Sequence, residues 1–379
     1  SINGTFDWVY SEELFCTDGF RWSPDGTRIA YWNVDASKVR NYLMLNTTDS
    51  IYPFTVAVEY PKAGEDPSPA KIGVVDLATA KTQWMKIEGD PRQNYLVKME
   101  WASKSDLIIQ QLSRKQNVSK LYLANAATGA AKVLWSDTDK AWIDVEATWN
   151  TNDNAGWNWI EGGKAFVWAS EKDGWRHLYR IGMDGKESII TTGDFDVIKI
   201  YLIDEPNNLL YFAATPENAT QRYMYCTKLD GSGTPQRVTP ADFTGTNDYM
   251  LSPNGKWARH NFSCHLYFPA SEWVSLPAHS PVDPAKGILK NLKEDPFGKQ
   301  VSFFKVTTED GITLDGWIAK PRDFDPSKKY PVFFYVYGEP WGCTVFDNSR
   351  IGRSGQFGGN IADMGYLYVS VDCRGSLAP

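Results

Sequence analysis

The sequence predicts a partial β-propeller built from four-stranded blades, followed by the beginning of an α/β domain. A strand-turn-strand unit recurs along the first two thirds of the 379 residues. Aromatic side chains make up 14% of the chain, and such side chains pack well on pleated sheets. After a Pro-rich passage at 275–287, SLPAHSPVDPAKG, the pattern changes. Strands should therefore dominate, with a second domain after that passage.

The recurring unit consists of an apolar or aromatic strand, a polar turn and a second strand. The first copy is RWSPDGTRIAYW at 21–32, and further copies begin at Glu100, Asn158, Leu202 and Met250. Their separations, about 80, 58, 44 and 48 residues, bracket the 40 to 50 residues of a propeller blade, with insertions in the early blades. In the SPDG tetrad, Pro presets φ and Gly tolerates positive φ, so this motif specifies a turn and carries little function.

The second domain is predicted from residue 288 to residue 379, and the propeller from residue 1 to residue 280. VSFFKVTTEDGITLDGWIAKP is typical of a hairpin, while YPVFFYVYG at 330–338 and YLYVSVDC at 366–373 are unbroken apolar runs typical of buried strands. The intervening segment 350–365 is predicted to be a helical crossover. Strand, helix and strand in this order predict a parallel sheet covered on both faces, cut off at Pro379.

Charge and composition exclude several functions. The net charge is −7 with no Lys- or Arg-rich block, so no nucleic-acid partner is expected. No apolar run approaches the roughly 18 residues of a membrane span. The five Cys residues fit no zinc spacing, so we expect no metal and no cofactor, and their pairing cannot be assigned.

The first residues, SINGTFDW, have no basic or apolar leader, which indicates that the chain starts inside a larger protein. Five glycosylation sequons exceed the roughly three expected by chance. We therefore expect a secreted or periplasmic protein.

Four stretches resemble the dipeptidyl peptidase IV family of prolyl oligopeptidase-type serine peptidases. They are DWVYSEELF at 7–15, VEYPKAGE at 58–65, SKKYPVFFYVYGEP at 327–340 and VDCRGS at 371–376. Their order is that of the family, and the resemblance covers essentially the whole chain. It implies that the second domain is the N-terminal part of an α/β-hydrolase catalytic domain.

Glu12 and Glu13 are the predicted substrate-binding residues. Two adjacent carboxylates can bind one ammonium group through charge-assisted hydrogen bonds, as a peptide N-terminus would require. From the residues alone an ordinary solvated pair is the alternative. The resemblance implies that the pair anchors the substrate amine and sets a dipeptide register. Ser11 stands where some relatives have a third acid.

Tyr337 is the predicted catalytic residue, because it follows the strand after which an α/β-hydrolase places an oxyanion-hole donor. Arg374 and Gly375 resemble the family's Arg-Gly-Ser turn and are interpreted as loop architecture. The sequence contains no GxSxG, so the catalytic Ser, Asp and His are expected outside this chain. The loop that closes over the second substrate residue should align near 147–156, where the match is poor.

The resulting prediction is a serine exopeptidase that releases N-terminal Xaa-Pro or Xaa-Ala dipeptides, with this chain inactive alone. Its expected partners are a peptide with an unblocked N-terminus, a second copy in a homodimer, and the remaining segments of the enzyme. Without those segments the chain should expose a strand edge and an apolar face, and aggregate. A tripeptidyl peptidase on the same scaffold and a catalytically inactive propeller binding module are the alternatives. The adjacent acids favour the dipeptidyl form, and their presence together with Tyr337 argues against the inactive one.

Overall fold

The computed structural model describes residues 1–144, 157–338, 342–354 and 359–376. The loop predicted at 147–156 lies outside the described residues. The chain divides into two compact units. One comprises Ser1–Lys172 with Arg180–Glu187, and the other comprises Asp173–Tyr179 with Ser188–Pro379. Each unit is described by itself below.

The described part of the first unit contains one short α-helix, α1 (Trp8–Glu12), and a series of strands. The strands up to residue 138 are β1 (Ile2–Asn3), β2 (Phe20–Trp22), β3 (Arg28–Val34), β4 (Asn41–Asn46), β5 (Phe54–Glu59), β6 (Ala70–Asp76), β7 (Thr82–Trp84), β8 (Asn94–Trp101), β9 (Asp106–Ser113), β10 (Val118–Asn125) and β11 (Ala131–Thr138). The first sheet has the order β1-β3-β6-β7, with β2 also on β3, and the second has the order β11-β10-β9-β8. The strands β4 and β5 pair only with each other, as a separate hairpin.

The core of the first unit lies between these two sheets. Trp32 and Ile72 of the first sheet pack with Met99, Leu107 and Ile109 of the second, and all five side chains are almost fully buried. The indole N–H of Trp32 donates to the carbonyl oxygen of Leu96 at 2.7 Å. The core therefore joins the two sheets by apolar packing and by a buried hydrogen bond.

Three further four-stranded sheets follow, each with its strands in chain order. Their strands are β12 (Asn158–Ile160), β13 (Ala165–Ser170), β14 (His177–Gly182), β15 (Glu187–Ile189), β16 (Val197–Asp204), β17 (Leu209–Ala214), β18 (Tyr223–Lys228), β19 (Gln236–Arg237), β20 (Thr246–Leu251), β21 (Trp257–Cys264), β22 (Tyr267–Ser275) and β23 (Ser280–Pro281). Those of the last two sheets pair antiparallel throughout. Four-stranded antiparallel meanders of this kind are consistent with the predicted propeller blades.

Each predicted repeat forms two adjacent antiparallel strands. The five copies coincide with β2–β3, β8–β9, β12–β13, β16–β17 and β20–β21. In the SPDG turn, Gly26 has a φ of 69° and its N–H donates to the carbonyl oxygen of Ser23 at 2.9 Å. The prediction of strand pairs joined by tight polar turns is confirmed.

A different sheet begins after residue 288. The elements there are α2 (Ile288–Asn291), a 3-10 helix (Pro296–Gln300), β24 (Val301–Thr307), β25 (Thr313–Ala319), β26 (Val332–Phe334), a 3-10 helix (Ala362–Met364) and β27 (Leu367–Val371). The strand order is β24-β25-β27-β26, in which β26 and β27 are parallel and the other pairs are antiparallel. The hairpin and the parallel strand pair are as predicted. The predicted domain boundary between residues 280 and 288 stays a prediction.

Two predictions for this part are wrong. The run at 330–338 is not a buried strand, because β26 spans only three residues at the sheet edge and Phe334 and Val336 are 61% and 70% exposed. The described residues of 350–365 form turns and the 3-10 helix instead of an α-helical crossover. Gly352, Gly359 and Gly365 have φ values of 74°, 139° and 89°, which are incompatible with a continuous α-helix.

Candidate functional site

The helix α1 is defined by capping contacts at both ends. At its N-terminal end, the Asp7 carboxylate accepts a hydrogen bond from the main-chain N–H of Tyr10 at 3.1 Å. At its C-terminal end, the N–H of Glu13 donates to the carbonyl oxygen of Val9 at 2.9 Å. An acidic N-cap accounts for the start of the helix.

One face of this segment is fixed in the core of the first unit. Tyr10, Leu14 and Cys16 are buried with Val97 and Leu112 in one apolar cluster. The Cys16 thiol donates to the carbonyl oxygen of Val97 at 3.3 Å. Burial raises the pKa of the Cys16 thiol, so this cysteine is a protonated core residue. The helix is therefore held rigidly to strand β8.

Glu12 and Glu13 lie on the opposite side and are both exposed. They occupy the last position of α1 and its C-cap, and the last turn of the helix carries no basic residue. Neither carboxylate has an ion-pair partner within the described residues. Two like charges beside the negative end of a helix repel each other and the helix carbonyls. A cation bound there would relieve both repulsions.

Tyr95 lies within electrostatic range of Glu13, and Arg114 contacts Tyr95; neither residue was predicted from the sequence. The Arg114 guanidinium donates to the Tyr95 hydroxyl at 2.7 Å and to the carbonyl oxygen of Glu65 at 3.1 Å. Burial raises the pKa of Tyr95; Arg114 opposes that shift, and the charges of Asp7 and Glu13 reinforce it. Glu65 belongs to the 58–65 motif, and this motif is the only sequence feature that pointed to the surroundings of Arg114.

Tyr337 lies in the second unit, three residues beyond the end of β26, and is 47% exposed. The strand leading to it is fixed on β27, because the N–H of Tyr335 donates to the carbonyl oxygen of Val369 at 2.8 Å. The Ser370 hydroxyl in turn donates to the carbonyl oxygen of Tyr335 at 2.8 Å. These contacts position the start of the loop that carries Tyr337. The role of Tyr337 remains a prediction.

Arg374 and Gly375 form part of the turn that follows β27. Arg374 makes an exposed ion pair with Asp310, and its hydrogen bonds contribute most to lowering the pKa of Asp310 to about 2. Gly375 has a φ of 76°. Both observations agree with the interpretation of this pair as loop architecture.

Asp347 connects the sheet after residue 288 to the two preceding meander sheets within the second unit. Its carboxylate accepts from the main-chain N–H of His265 and faces the ring Nδ1 of the same residue, both at 2.8 Å. Its own N–H donates to the carbonyl oxygen of Thr220 at 2.6 Å. Asp347 is buried. These contacts hold the Tyr337 sheet against β21 and the turn before β18.

Comparison with known proteins assigns the chain to a family. The family model for the dipeptidyl peptidase IV (DPP IV) N-terminal region matches residues 1–265. The chain belongs to the dipeptidyl peptidase IV family. A probable dipeptidyl-aminopeptidase B from Coccidioides posadasii is 28% identical over 399 residues, covering 98% of this chain and 42% of that protein. The dipeptidyl peptidase 4 of Trichophyton rubrum is 27% identical over 397 residues, covering 99% of this chain and 49% of that protein.

The fold agrees with this assignment. The crystal structure of Porphyromonas gingivalis dipeptidyl peptidase 4 matches with a TM-score of 0.81 and 26% identity, covering all of this chain and 52% of that one. The chain therefore spans about half the length of the relatives that it matches. Among the described residues, no helix combines the length and apolar character that crossing a bilayer requires. The five cysteines, all within described segments, form no disulfide.

Proposed function

We propose that this chain is the substrate-anchoring part of a serine exopeptidase that releases N-terminal Xaa-Pro or Xaa-Ala dipeptides. The observation that carries the proposal is the pair Glu12 and Glu13, which is exposed, adjacent and without an ion-pair partner in the described chain, on a helix fixed by its buried face. The protonated amine of a peptide N-terminus is complementary to this pair in charge and hydrogen-bonding capacity. An anchor for the amine would set the number of residues between the N-terminus and the cleaved bond.

In this proposal, Tyr337 donates its phenolic O–H to the oxyanion that develops when a serine attacks the scissile carbonyl carbon. The remaining segments of the enzyme supply the catalytic Ser, Asp and His. The serine would form an acyl-enzyme with the dipeptide as the scissile amide bond breaks, and the rest of the peptide would leave as an amine that receives the serine's proton through the histidine. Water would then hydrolyse the acyl-enzyme and release the dipeptide. A donor aimed at the oxyanion stabilises the transition state more than the bound substrate.

The dipeptidyl reaction, the tripeptidyl reaction and a binding-only role can be distinguished with three substrates. The full-length protein would be assayed with Ala-Pro, Ala-Ala-Pro and acetyl-Ala-Pro para-nitroanilides, with and without a serine-directed phosphonate. Turnover of Ala-Pro alone, abolished by the phosphonate, is the expected result. Faster release from Ala-Ala-Pro would establish the tripeptidyl alternative. The absence of turnover for all three substrates would favour the inactive propeller module.

The protein is proposed to act outside the cytoplasm as a homodimer. The five sequon asparagines, Asn3, Asn46, Asn117, Asn218 and Asn261, are all at least partly exposed, which is compatible with glycosylation. The hairpin β4–β5 exposes apolar side chains on both faces, among them Leu43 and Leu45 at 61% and 65%. A two-stranded hairpin is marginally stable alone, so a second copy of the chain is the proposed partner for this surface.

A further inference from the structure

Three buried residues with metal-binding side chains meet at the last meander sheet of the second unit. His260 on β21 and Glu272 on β22 are directly opposite each other across the strand pair. His279 lies in the turn between β22 and β23. All three side chains are buried, and one potential ligand atom from each lies within 4.8 Å of the others.

The proton on one nitrogen of His260 is fixed by its neighbour Asn247. The amide nitrogen of Asn247 donates to three main-chain carbonyl oxygens, those of Arg222, Phe243 and Gly245, at 3.0, 3.1 and 3.3 Å. This orients the amide oxygen of Asn247 toward Nε2 of His260, 2.8 Å away. An amide oxygen only accepts, so Nε2 carries a proton.

The other nitrogen of His260 faces an acceptor as well. Nδ1 lies 3.2 Å from one carboxylate oxygen of Glu272, and the second oxygen of that carboxylate accepts from the N–H of Ile288 at 3.1 Å. With Nε2 protonated, a neutral imidazole directs the lone pair of Nδ1 at a carboxylate oxygen. A cation must therefore lie between these two atoms, either a proton or a metal ion.

A shared proton needs only these two side chains. The buried imidazole of His279 lies beside them as a third side chain of a kind that binds metal ions, so the cluster has the composition of a metal site.

His279 supplies a third ligand side chain from a backbone conformation that is uncommon for its residue type. Its φ is 50°, in the left-handed region. Its Nε2 lies 2.9 Å from the hydroxyl of Tyr249, which is also 2.9 Å from the hydroxyl of Thr239. The turn therefore brings a second imidazole into the cluster.

We propose that His260, Glu272 and His279 bind a divalent transition-metal ion, and that zinc is the ion their chemistry fits. Two imidazoles and one carboxylate form a nitrogen and oxygen donor set that zinc accepts at about 2.0–2.2 Å. At such bond lengths neighbouring tetrahedral ligand atoms are about 3.3 Å apart. The observed separation of 3.2 Å between His260 Nδ1 and the Glu272 oxygen is compatible with that spacing, and the ligand atom of His279, within 4.8 Å of both, would move toward the ion on binding.

The bound ion would join β21, β22 and the turn between β22 and β23. Because it replaces the cation required between Nδ1 and the carboxylate, it would stabilise the folded state. The site departs from the expectation of no metal, since its ligands fall at no recognised zinc spacing. Sheet pairing and one unusual turn bring them together instead.

The variant Glu272→Gln is designed to remove metal binding while leaving the fold intact. The glutamine oxygen can still accept from the N–H of Ile288, while its amide nitrogen can donate to Nδ1 of a neutral His260. The variant therefore satisfies the same contacts without any cation. His279→Asn is a second test, because asparagine tolerates a positive φ. His265→Asn is the control, since His265 contacts Asp347 outside this cluster.

The experiment measures zinc in the full-length protein, purified without a histidine tag, loaded with zinc sulfate and then desalted. Elemental analysis should find about one more zinc ion per chain in the parent and in His265→Asn than in Glu272→Gln or His279→Asn. Circular dichroism should show Glu272→Gln to be folded. Cobalt(II) replacing zinc should give visible absorption bands in the parent that Glu272→Gln lacks. Equal zinc content in the parent and a folded Glu272→Gln would overturn the proposal and leave a shared proton as the bridging cation.

Discussion

The hydroxyl of Tyr10 accepts a hydrogen bond from the main-chain N–H of Leu96 at 3.1 Å. Both residues are buried, and the contact connects α1 to strand β8. Burial raises the pKa of Tyr10 well above its usual range, so the phenol stays neutral at any physiological pH. The acid pair that follows Tyr10 is thereby attached to the second sheet, and the apolar cluster around Tyr10 also includes Val34 of β3 and Ala70 of β6 in the first sheet.

Removing this hydroxyl should destabilise the fold near the acid pair. Tyr10→Phe retains the ring but leaves the N–H of Leu96 without its partner, which costs about 1–3 kcal/mol for a buried donor. Urea unfolding followed by circular dichroism would measure the change. Tyr366→Phe, at a residue that is 38% exposed, is the matched control and should unfold at the parent's midpoint. An unchanged midpoint for Tyr10→Phe would show that the bond adds nothing to stability.

Loss of the negative charge of Glu12 or Glu13 should lower the catalytic efficiency of the enzyme. In the full-length protein, Glu12→Gln and Glu13→Gln should each lower kcat/KM for dipeptidyl substrates by roughly 30-fold or more, because a desolvated ammonium loses one of its two counter-charges. Glu309→Gln, another exposed carboxylate, should leave kcat/KM unchanged.

The acetylated substrate gives this test a second comparison. Acetylation removes the positive charge from the substrate, so the parent should hydrolyse it poorly and the two Gln variants should hydrolyse it no worse than the parent does. If both variants cleave unblocked dipeptide substrates as fast as the parent, the pair is an ordinary solvated surface feature.

Tyr337 should affect a different kinetic constant. Tyr337→Phe removes a donor to the developing oxyanion, a change that costs about 100- to 1000-fold in kcat in comparable oxyanion holes. KM should change little, because the interaction forms mainly in the transition state. Steady-state kinetics of the full-length variant, with Tyr366→Phe as the control, would measure both constants. A loss confined to KM would assign Tyr337 to substrate binding instead.

Local turn chemistry made much of the fold predictable. The SPDG segment could be assigned to a turn because Pro24 and Gly26 act on their own backbone, and the same logic located the other strand pairs. The exposure of β26 could not be predicted from turn residues. Apolar residues show that a strand can be covered, whereas its position at the sheet edge depends on which strands pair.

The same distinction between local and long-range contacts applies to the functional residues. Glu12 and Glu13 were visible because they are adjacent in sequence and form a charged pair. Arg114 contacts Tyr95 through the pairing of β8 and β9, about 100 residues after the acid pair in the chain. His260 and Glu272 meet through strand register, and a shift of one residue would place them on opposite faces of the sheet. Contacts set by register have no local sequence signal.

The hairpin β4–β5 gives the last prediction, which concerns assembly. Leu43 and Leu45 project from one face of β4 because strand side chains alternate, and β5 is the only strand paired with β4 in the described chain. If a second copy covers this face, Leu43→Glu combined with Leu45→Glu would place carboxylates in an apolar interface. Sedimentation velocity of the full-length protein should then show a dimer for the parent and a monomer for the double variant. Val282→Glu, at a residue that is 55% exposed outside the hairpin, should remain dimeric. A double variant that sediments as a dimer would exclude this face as the interface.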